Sequence, residues 1–136
     1  MKITAPNAIK RELIELAGLK IHGEILNTNE QIEACYSKNE QFDTGALQDT
    51  RNDFREGQEE TGIQALFSRN CETKSVAYFL KDGTWVGWTY YYGGGKHSYA
   101  DEIEWVENAY YLECDSVERV VEVKVFTKSK RERLIY

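Results

Sequence analysis

The hydrophobic positions near the start of the chain recur at helical spacing. In the stretch AIKRELIELAG, residues 8–18, four apolar side chains fall on one face of a helix. Thr4 and Asn7 flank Pro6 just ahead of this stretch, which is typical of a helix start, and Gly18 supplies a stop. The pattern therefore predicts a first helix that packs on a core. The four apolar residues are Ile9, Leu13, Leu16 and Ala17.

Two further helices are predicted before the hydrophobic pattern changes. Thr28 and Gln31 have the spacing of a capping box, in which each side chain satisfies a backbone N–H group of the other residue. The helix that they start is expected to be short, one or two turns. Residues 46–62 hold good helix formers but only Leu47 and Phe54 as large apolar anchors. This third helix is expected to be polar and loosely packed, and Gly57 weakens its end.

From residue 73 the hydrophobic period becomes two, which is the period of a strand. The stretch TKSVAYFLKDGTWVGWTYYY, residues 73–92, predicts two strands joined at Asp82 and Gly83, a dipeptide that favours a type I′ hairpin turn. This hairpin is the element that the sequence specifies most clearly.

The rest of the sheet is predicted from three shorter stretches. Residues 109–126 predict a second hairpin with its turn at 115–118, and residues 63–67 are a candidate fifth strand. Residues 98–108 are predicted to form a helix between the hairpins, because a serine can cap it and acidic residues occupy its first turn. Together the elements predict one α+β domain, residues 1–136. Its N-terminal helices precede a four- to five-stranded antiparallel sheet with a helical crossover.

The composition is that of a folded protein rather than a disordered one. The 136 residues are 41% hydrophobic and 29% charged, with a single proline. No leader pattern is visible and no stretch approaches the run of about 18 apolar residues that spans a bilayer, so a cytoplasmic protein without a membrane partner is expected. The three cysteines are widely separated and lack C-x-x-C spacing, which indicates neither a disulfide framework nor a zinc site.

The chain is acidic, with a net charge of −6 at pH 7. An acidic body repels phosphate backbones, so duplex nucleic acid is not expected as a partner. Residues 98–118 carry seven carboxylates and neither lysine nor arginine. We interpret this acidic stretch either as a solvated face that supports solubility or as a surface that docks a basic partner.

The stretch WTYYYGGGKHSY, residues 88–99, combines aromatic side chains with three glycines, a lysine and a histidine. Aromatic rings can stack on a base, while lysine, histidine and glycine amides can hold phosphate or ribose oxygens. The pattern predicts a site for a nucleotide-like ligand. The alternatives are aromatic residues that belong to the core and a flexible surface loop. The candidate ligand-binding residues are Trp88, Tyr90, Tyr92, Gly93, Gly94, Gly95, Lys96, His97 and, from a preceding polar cluster, Arg69.

No familiar catalytic, metal or cofactor motif is present in the sequence. A P-loop that ended at Lys96 would need glycine at position 90 and serine or threonine at position 97, which are Tyr90 and His97. An enzyme would use His97 as a general base beside a carboxylate such as Glu102 or Glu104, yet nothing in the sequence pairs them. We expect a non-enzymatic protein without a metal or cofactor, and keep a small enzyme that uses His97 as an alternative.

Residues 72–128, and above all DGTWVGWTYYYGGGKH and EIEWVENAYYLEC, resemble the small accessory proteins that bacteriophages and prophages carry. The resemblance implies a counter-defence protein of the host cytoplasm. It is similar to Thoeris anti-defence sponges, small oligomers that hold a cyclic ADP-ribose derivative with aromatic and basic side chains. A second implied role is that of an anti-CRISPR-like inhibitor, which would present the acidic stretch to a host defence protein.

The aromatic content also bears on assembly. Nine tyrosines, three tryptophans and five phenylalanines are more aromatic surface than a small sheet and short helices readily cover. Aromatic residues are enriched in interface cores. We therefore expect a homo-oligomer, most simply a two-fold dimer that covers the second face and the edge of the sheet. The alternative is a monomer in which the third helix and the link between the hairpins provide this cover.

Overall fold

The computed structural model describes residues 2–19, 25–41, 45–95, 99–117 and 123–129. Three α-helices come first, and five antiparallel strands follow in a sheet whose spatial order is the order of the chain. This is the α+β fold that the hydrophobic pattern predicts. None of the helices in these ranges is long and apolar enough to cross a membrane. The elements are α1 (Ala5–Leu16), α2 (Asn29–Gln41), α3 (Ala46–Phe54), β1 (Glu59–Glu60), β2 (Glu72–Phe79), β3 (Trp85–Tyr92), β4 (Tyr110–Val117) and β5 (Val123–Lys128).

The starts of the first two helices follow from local capping. The Thr4 side chain accepts a hydrogen bond from the Asn7 N–H at 3.3 Å. Thr28 Oγ1 accepts from the Gln31 N–H at 3.2 Å, and Gln31 Oε1 accepts from the Thr28 N–H at 3.0 Å, which confirms the capping box. α2 has 13 residues and is longer than expected, because glutamate, glutamine and lysine on its exposed side favour its continuation.

α3 ends at Phe54, well before the predicted end at residue 62. Gly57 has a φ of 70°, the left-handed conformation that commonly ends a helix. The Gln58 N–H then donates to the Ala77 carbonyl of β2 at 2.7 Å. The backbone donors after Gly57 thus bond to the sheet edge rather than to a further helical turn, and the chain continues as β1.

The fifth strand is this β1 rather than the predicted residues 63–67. Glu59 and Glu60 pair with Ala77 and Val76 at the edge of β2. Residues 63–67 form no strand, and the Leu66 N–H donates to a side chain of β3, Thr89 Oγ1, at 3.1 Å. The segment therefore contacts the sheet without adding a ladder of hydrogen bonds.

The link between β3 and β4 is helical only over a short 3-10 turn, Ala100–Glu102. Ile103 returns to an extended conformation, and the Glu104 carboxylate accepts hydrogen bonds from the Val106 N–H at 2.8 Å and the Glu107 N–H at 3.2 Å. This carboxylate takes the place of the helix carbonyls that those donors would need. The predicted link helix and crossover are therefore wrong; β3 and β4 are antiparallel neighbours, which a short link can join.

The β2–β3 hairpin lies where it was predicted, but its turn has a different type. Gly83 has a φ of 89°, whereas the φ of Asp82 is negative, and a type I′ turn requires positive values at both positions. The Leu80 N–H donates to Thr84 O and the Gly83 N–H to Leu80 O, as in a three-residue loop with a glycine bulge. Asp82 Oδ1 stabilises this loop by accepting from the Thr84 N–H at 3.0 Å.

The turn of the second hairpin lies later in the chain than the predicted residues 115–118. Asp115 pairs with Val125, and Val117 pairs with Val123. The strand therefore continues through the expected turn, and the connection falls in residues 118–122, outside the described ranges. Asp115 is exposed, which explains why a polar residue is compatible with a strand there.

The sheet is curled and carries a hydrophobic cluster on each face. Trp88 belongs to the larger cluster, on the helix side, and Leu112 and Phe126 belong to the smaller one. The two edge strands approach each other, since Lys124 Nζ of β5 lies 2.6 Å from Glu59 Oε2 of β1. Residues of the same chain pack on both faces of the central strands, so the aromatic content does not require a second subunit. The homo-oligomer stays a prediction.

Candidate ligand-binding site

A glycine loop leaves the end of β3 in an unusual conformation. Gly93, Gly94 and Gly95 have φ values of 66°, 83° and 85°, so three consecutive residues are left-handed. Residues with a Cβ adopt this region one at a time and at a cost of about 1–2 kcal/mol. Tyr99 is also left-handed, with a φ of 50°. A non-glycine residue in this conformation is strained, and such strain clusters at ligand sites, which makes the region of Tyr99 and the glycine loop a candidate for one.

Two tyrosines at the end of β3 form the aromatic part of the site. The rings of Tyr90 and Tyr92 stack with centroids 5.2 Å apart and planes 20° from parallel. Lys74 Nζ of β2 lies 5.8 Å from the first ring and 5.3 Å from the second. A 2.6 Å hydrogen bond from Lys74 to Glu60 raises the pKa of the lysine, so this ammonium stays charged. The pair is thus a flat aromatic surface with a cation beside it.

Arg55, the residue after α3, holds a second cation against the same tyrosines. Its guanidinium carbon lies 5.1 Å from the centroid of the Tyr90 ring, and Nη1 donates to the Tyr91 carbonyl at 2.8 Å. The Arg55 carbonyl in turn accepts a 2.8 Å hydrogen bond from Trp88 Nε1. Arg55 Nε is buried and has no hydrogen-bond partner within the described residues. A buried donor without a partner costs about 1–3 kcal/mol, which a bound ligand can offset.

Arg55, the two tyrosines and part of the glycine loop line one cavity of about 480 Å³, between the end of α3, the end of β3 and the start of the link. A volume of this order suits a small-molecule ligand. The cavity brings a cation, a carboxylate, two stacked rings and glycine backbone together. Its lining residues are Asn52, Arg55, Tyr90, Tyr92, Gly93, Gly95, Tyr99, Ala100 and Asp101.

The structure separates the predicted site residues into three groups. Tyr90, Tyr92, Gly93 and Gly95 line the cavity, whereas Gly94, between the two glycines in the chain, does not. Trp88 is fully buried and stacks on other core rings, so no face of it is open to a ligand, and Arg69 lies exposed without lining this cavity. Lys96 and His97 lie outside the described residues; in the sequence they join Gly95 to Tyr99, both of which line the cavity.

Two carboxylates of the acidic stretch, Glu104 and Glu107, form ion pairs within the described residues. Glu107 pairs with Lys10 at 2.9 Å, and Glu104 lies 3.8 Å from Arg51 while it caps the link. Exposed carboxylates remain along the stretch, among them Glu102, which is next to the cavity residue Asp101. His97 lies outside the described ranges, so its role as a general base stays a prediction.

Comparisons with other proteins do not add to this picture. No protein-family model, no curated protein and no solved structure matches the chain. Within the described ranges, no three histidine, cysteine or acidic side chains are grouped so that they could hold a metal ion. The interpretation of the cavity therefore depends on the chemistry of its own residues.

Proposed function

We propose that the chain is a non-enzymatic binder of a small, planar, anionic ligand of the nucleotide class. The observation that carries the proposal is the position of Arg55. Its guanidinium packs on Tyr90 and is oriented by the Tyr91 carbonyl. Its Nε donor is buried beside a cavity of ligand size and has no hydrogen-bond partner among the described residues. A fixed arginine next to aromatic rings suits recognition of a base joined to phosphate.

Three side chains of the cavity have a specific role in this proposal. Tyr92, stacked on its neighbour, presents a ring on which a base can lie, and Arg55 donates to a phosphate oxygen. The carboxylate of Asp101 can accept a hydrogen bond from a ribose hydroxyl. Lys96 and His97 stay predicted anion contacts on the loop that follows Gly95.

We propose that this binding serves the counter-defence role that the phage resemblance implies. The protein would sequester a nucleotide-derived immune signal of the cyclic ADP-ribose type in the host cytoplasm and release it unchanged. The alternative, an inhibitor that docks its acidic stretch on a host defence protein, ranks lower because Glu104 and Glu107 are already engaged by Arg51 and Lys10. Charge reversal at Glu102 and Glu113, both exposed, would abolish inhibition in that alternative.

Calorimetric titration with cyclic ADP-ribose isomers and cyclic dinucleotides tests the proposal. We expect one of them to bind and to be recovered unchanged. Tyr92→Ala should weaken binding by the value of one stacked base, about 1–3 kcal/mol or roughly 5- to 160-fold. Phe67→Ala is the matched control, because Phe67 is 89% exposed and does not line the cavity. Absence of heat with every ligand, or equal loss in the two variants, would refute the proposal.

A further inference from the structure

A second cavity lies at the opposite end of β3 from the glycine loop. It has a volume of about 340 Å³ and lies between α1 and the turn of the β2–β3 hairpin. It shares no lining residue with the cavity at Tyr92, so what it binds is independent of the function proposed above. Its apolar wall consists of Ala8, Leu26 and Leu80, and the rest of its lining is polar or charged.

Two cations of this cavity already have partners. Arg11 Nη2 lies 3.4 Å from Asp82 Oδ2, and Arg11 Nη1 donates to the Leu26 carbonyl at 3.3 Å. Lys81 Nζ lies 3.6 Å from Glu15 Oε2. Each cation is therefore matched by a carboxylate other than that of Glu12.

Glu12 is the buried acid of the same cavity. It is only 7% exposed, and its one hydrogen bond within the described residues is a 3.4 Å contact from the Lys81 N–H to Oε1. Burial raises the pKa of this carboxyl, and the carboxylates of Glu15 and Asp82 act in the same direction, whereas the amide and the ammonium of Lys81 act against them. A buried carboxylate is stable when a cation and hydrogen-bond donors reach it, and no arginine or lysine of the described ranges forms an ion pair with Glu12.

We propose that this cavity binds a small organic cation, a primary ammonium on a short aliphatic chain, with Glu12 as its counter-ion. The ammonium donates hydrogen bonds to the Glu12 carboxylate, and the aliphatic chain contacts Leu26 and Leu80. An organic ammonium fits better than a metal ion, because the described residues hold no cluster of three potential metal ligands.

The bound cation competes with a proton for Glu12. Affinity should therefore fall as pH is lowered and Glu12 takes up its proton. The charged groups that face Glu12 are Arg11 and Glu15 from α1 and Lys81 and Asp82 from the hairpin turn.

A titration of the ¹⁵N-labelled protein with n-butylammonium chloride at constant ionic strength tests this site. We expect saturable shifts of the Lys81 amide and its neighbours. Glu12→Gln should lower the affinity about tenfold or more, the loss of one charged hydrogen-bond partner. Glu15→Gln is the matched control and should change it less than about threefold, because Glu15 is already paired with Lys81.

The uncharged analogue n-butanol provides a test that needs no variant. It should bind the wild-type protein at least about tenfold more weakly than n-butylammonium if the carboxylate recognises charge. Equal affinity for the two compounds would overturn the proposal. So would the absence of a saturable shift at the Lys81 amide, or an unchanged dissociation constant in a folded Glu12→Gln variant.

Discussion

Arg55 and Tyr90 form a cation–π pair with 5.1 Å between the guanidinium carbon and the ring centroid. The pair joins the end of α3 to the end of β3, and the hydrogen bond from Arg55 to the Tyr91 carbonyl fixes its geometry. It therefore links the stability of the fold to the shape of the candidate ligand cavity.

The contribution of the Arg55–Tyr90 pair to stability should be measurable without any ligand. Arg55→Gln loses the cation–π contact and the hydrogen bond to Tyr91, so we expect the free energy of unfolding to fall by about 1–2 kcal/mol. Arg69→Gln, at an exposed position, should change it by less than about 0.5 kcal/mol. Urea denaturation followed by tryptophan fluorescence gives both values, and equal stabilities of the two variants would contradict the finding.

The glycine loop makes a second prediction. Gly95 has a φ of 85°, and no atom lies within 4 Å of the position that a Cβ would occupy. The cost of Gly95→Ala is therefore a backbone cost alone, about 1–2 kcal/mol in the free energy of unfolding. Gly95→Asn should cost less, because asparagine tolerates the left-handed region. If alanine costs nothing in denaturant unfolding, the loop does not hold this conformation in solution.

Burial of Glu12 makes stability depend on pH. Unfolded glutamate loses its proton near about pH 4.3, whereas the folded pKa is raised. The folded state thus keeps a proton that the unfolded state has released, and stability falls as pH rises across this window. Glu12→Gln avoids that loss. It should be more stable than the wild-type protein at pH 7, by about 1.4 kcal/mol for each unit of raised pKa, and equal to it at pH 3.

Urea denaturation of the two proteins at both pH values measures this difference. Glu15→Gln provides the control, because Glu15 is paired with Lys81 and should give no gain at pH 7. A difference between the wild-type protein and Glu12→Gln that is the same at pH 3 and pH 7 would show that Glu12 is not the group responsible.

Tyr36 supplies a test at alkaline pH. Its hydroxyl is buried without a hydrogen-bond partner among the described residues, and burial raises its pKa to about 12. The unfolded tyrosine ionises near about 10, so stability should fall as pH rises from 10 to 12. Tyr36→Phe should be about 1 kcal/mol more stable at pH 7, and its advantage should grow above pH 10. A less stable variant at pH 7 would mean that the hydroxyl has a partner.

Features set by neighbouring residues could be predicted from the sequence, and features set by distant ones could not. The helix start at Thr4 and the capping box of Thr28 and Gln31 depend on side chains within three residues, and both are confirmed. Gly57 is a local signal for the early end of α3, but the hydrogen bond from Gln58 to Ala77 that turns the chain into β1 is not contained in a local pattern. Local signals therefore predict the three N-terminal helices and the two hairpins, but not the position of the fifth strand, the form of the link or several element ends.

The candidate site shows the same division. The period of two puts Trp88 and Tyr90 on one face of β3, but it does not say how far the helices cover that face. Trp88 is buried beneath them and Tyr90 is only partly so. Arg55 was missed because it reaches the site through the packing of α3 on a strand more than thirty residues later. No motif in the sequence around Arg55 marks that contact.

The central claim is tested most directly by following the ¹H–¹⁵N signal of the Arg55 Nε–H group in an NMR titration. The signal is assigned by its loss in Arg55→Lys, and the titrant is the nucleotide that gives heat in calorimetry. We predict that this signal shifts and saturates with the calorimetric dissociation constant, because the buried Nε has no partner in the described residues until the ligand arrives. A ligand that saturates the protein and leaves the Arg55 signal unmoved would contradict the account.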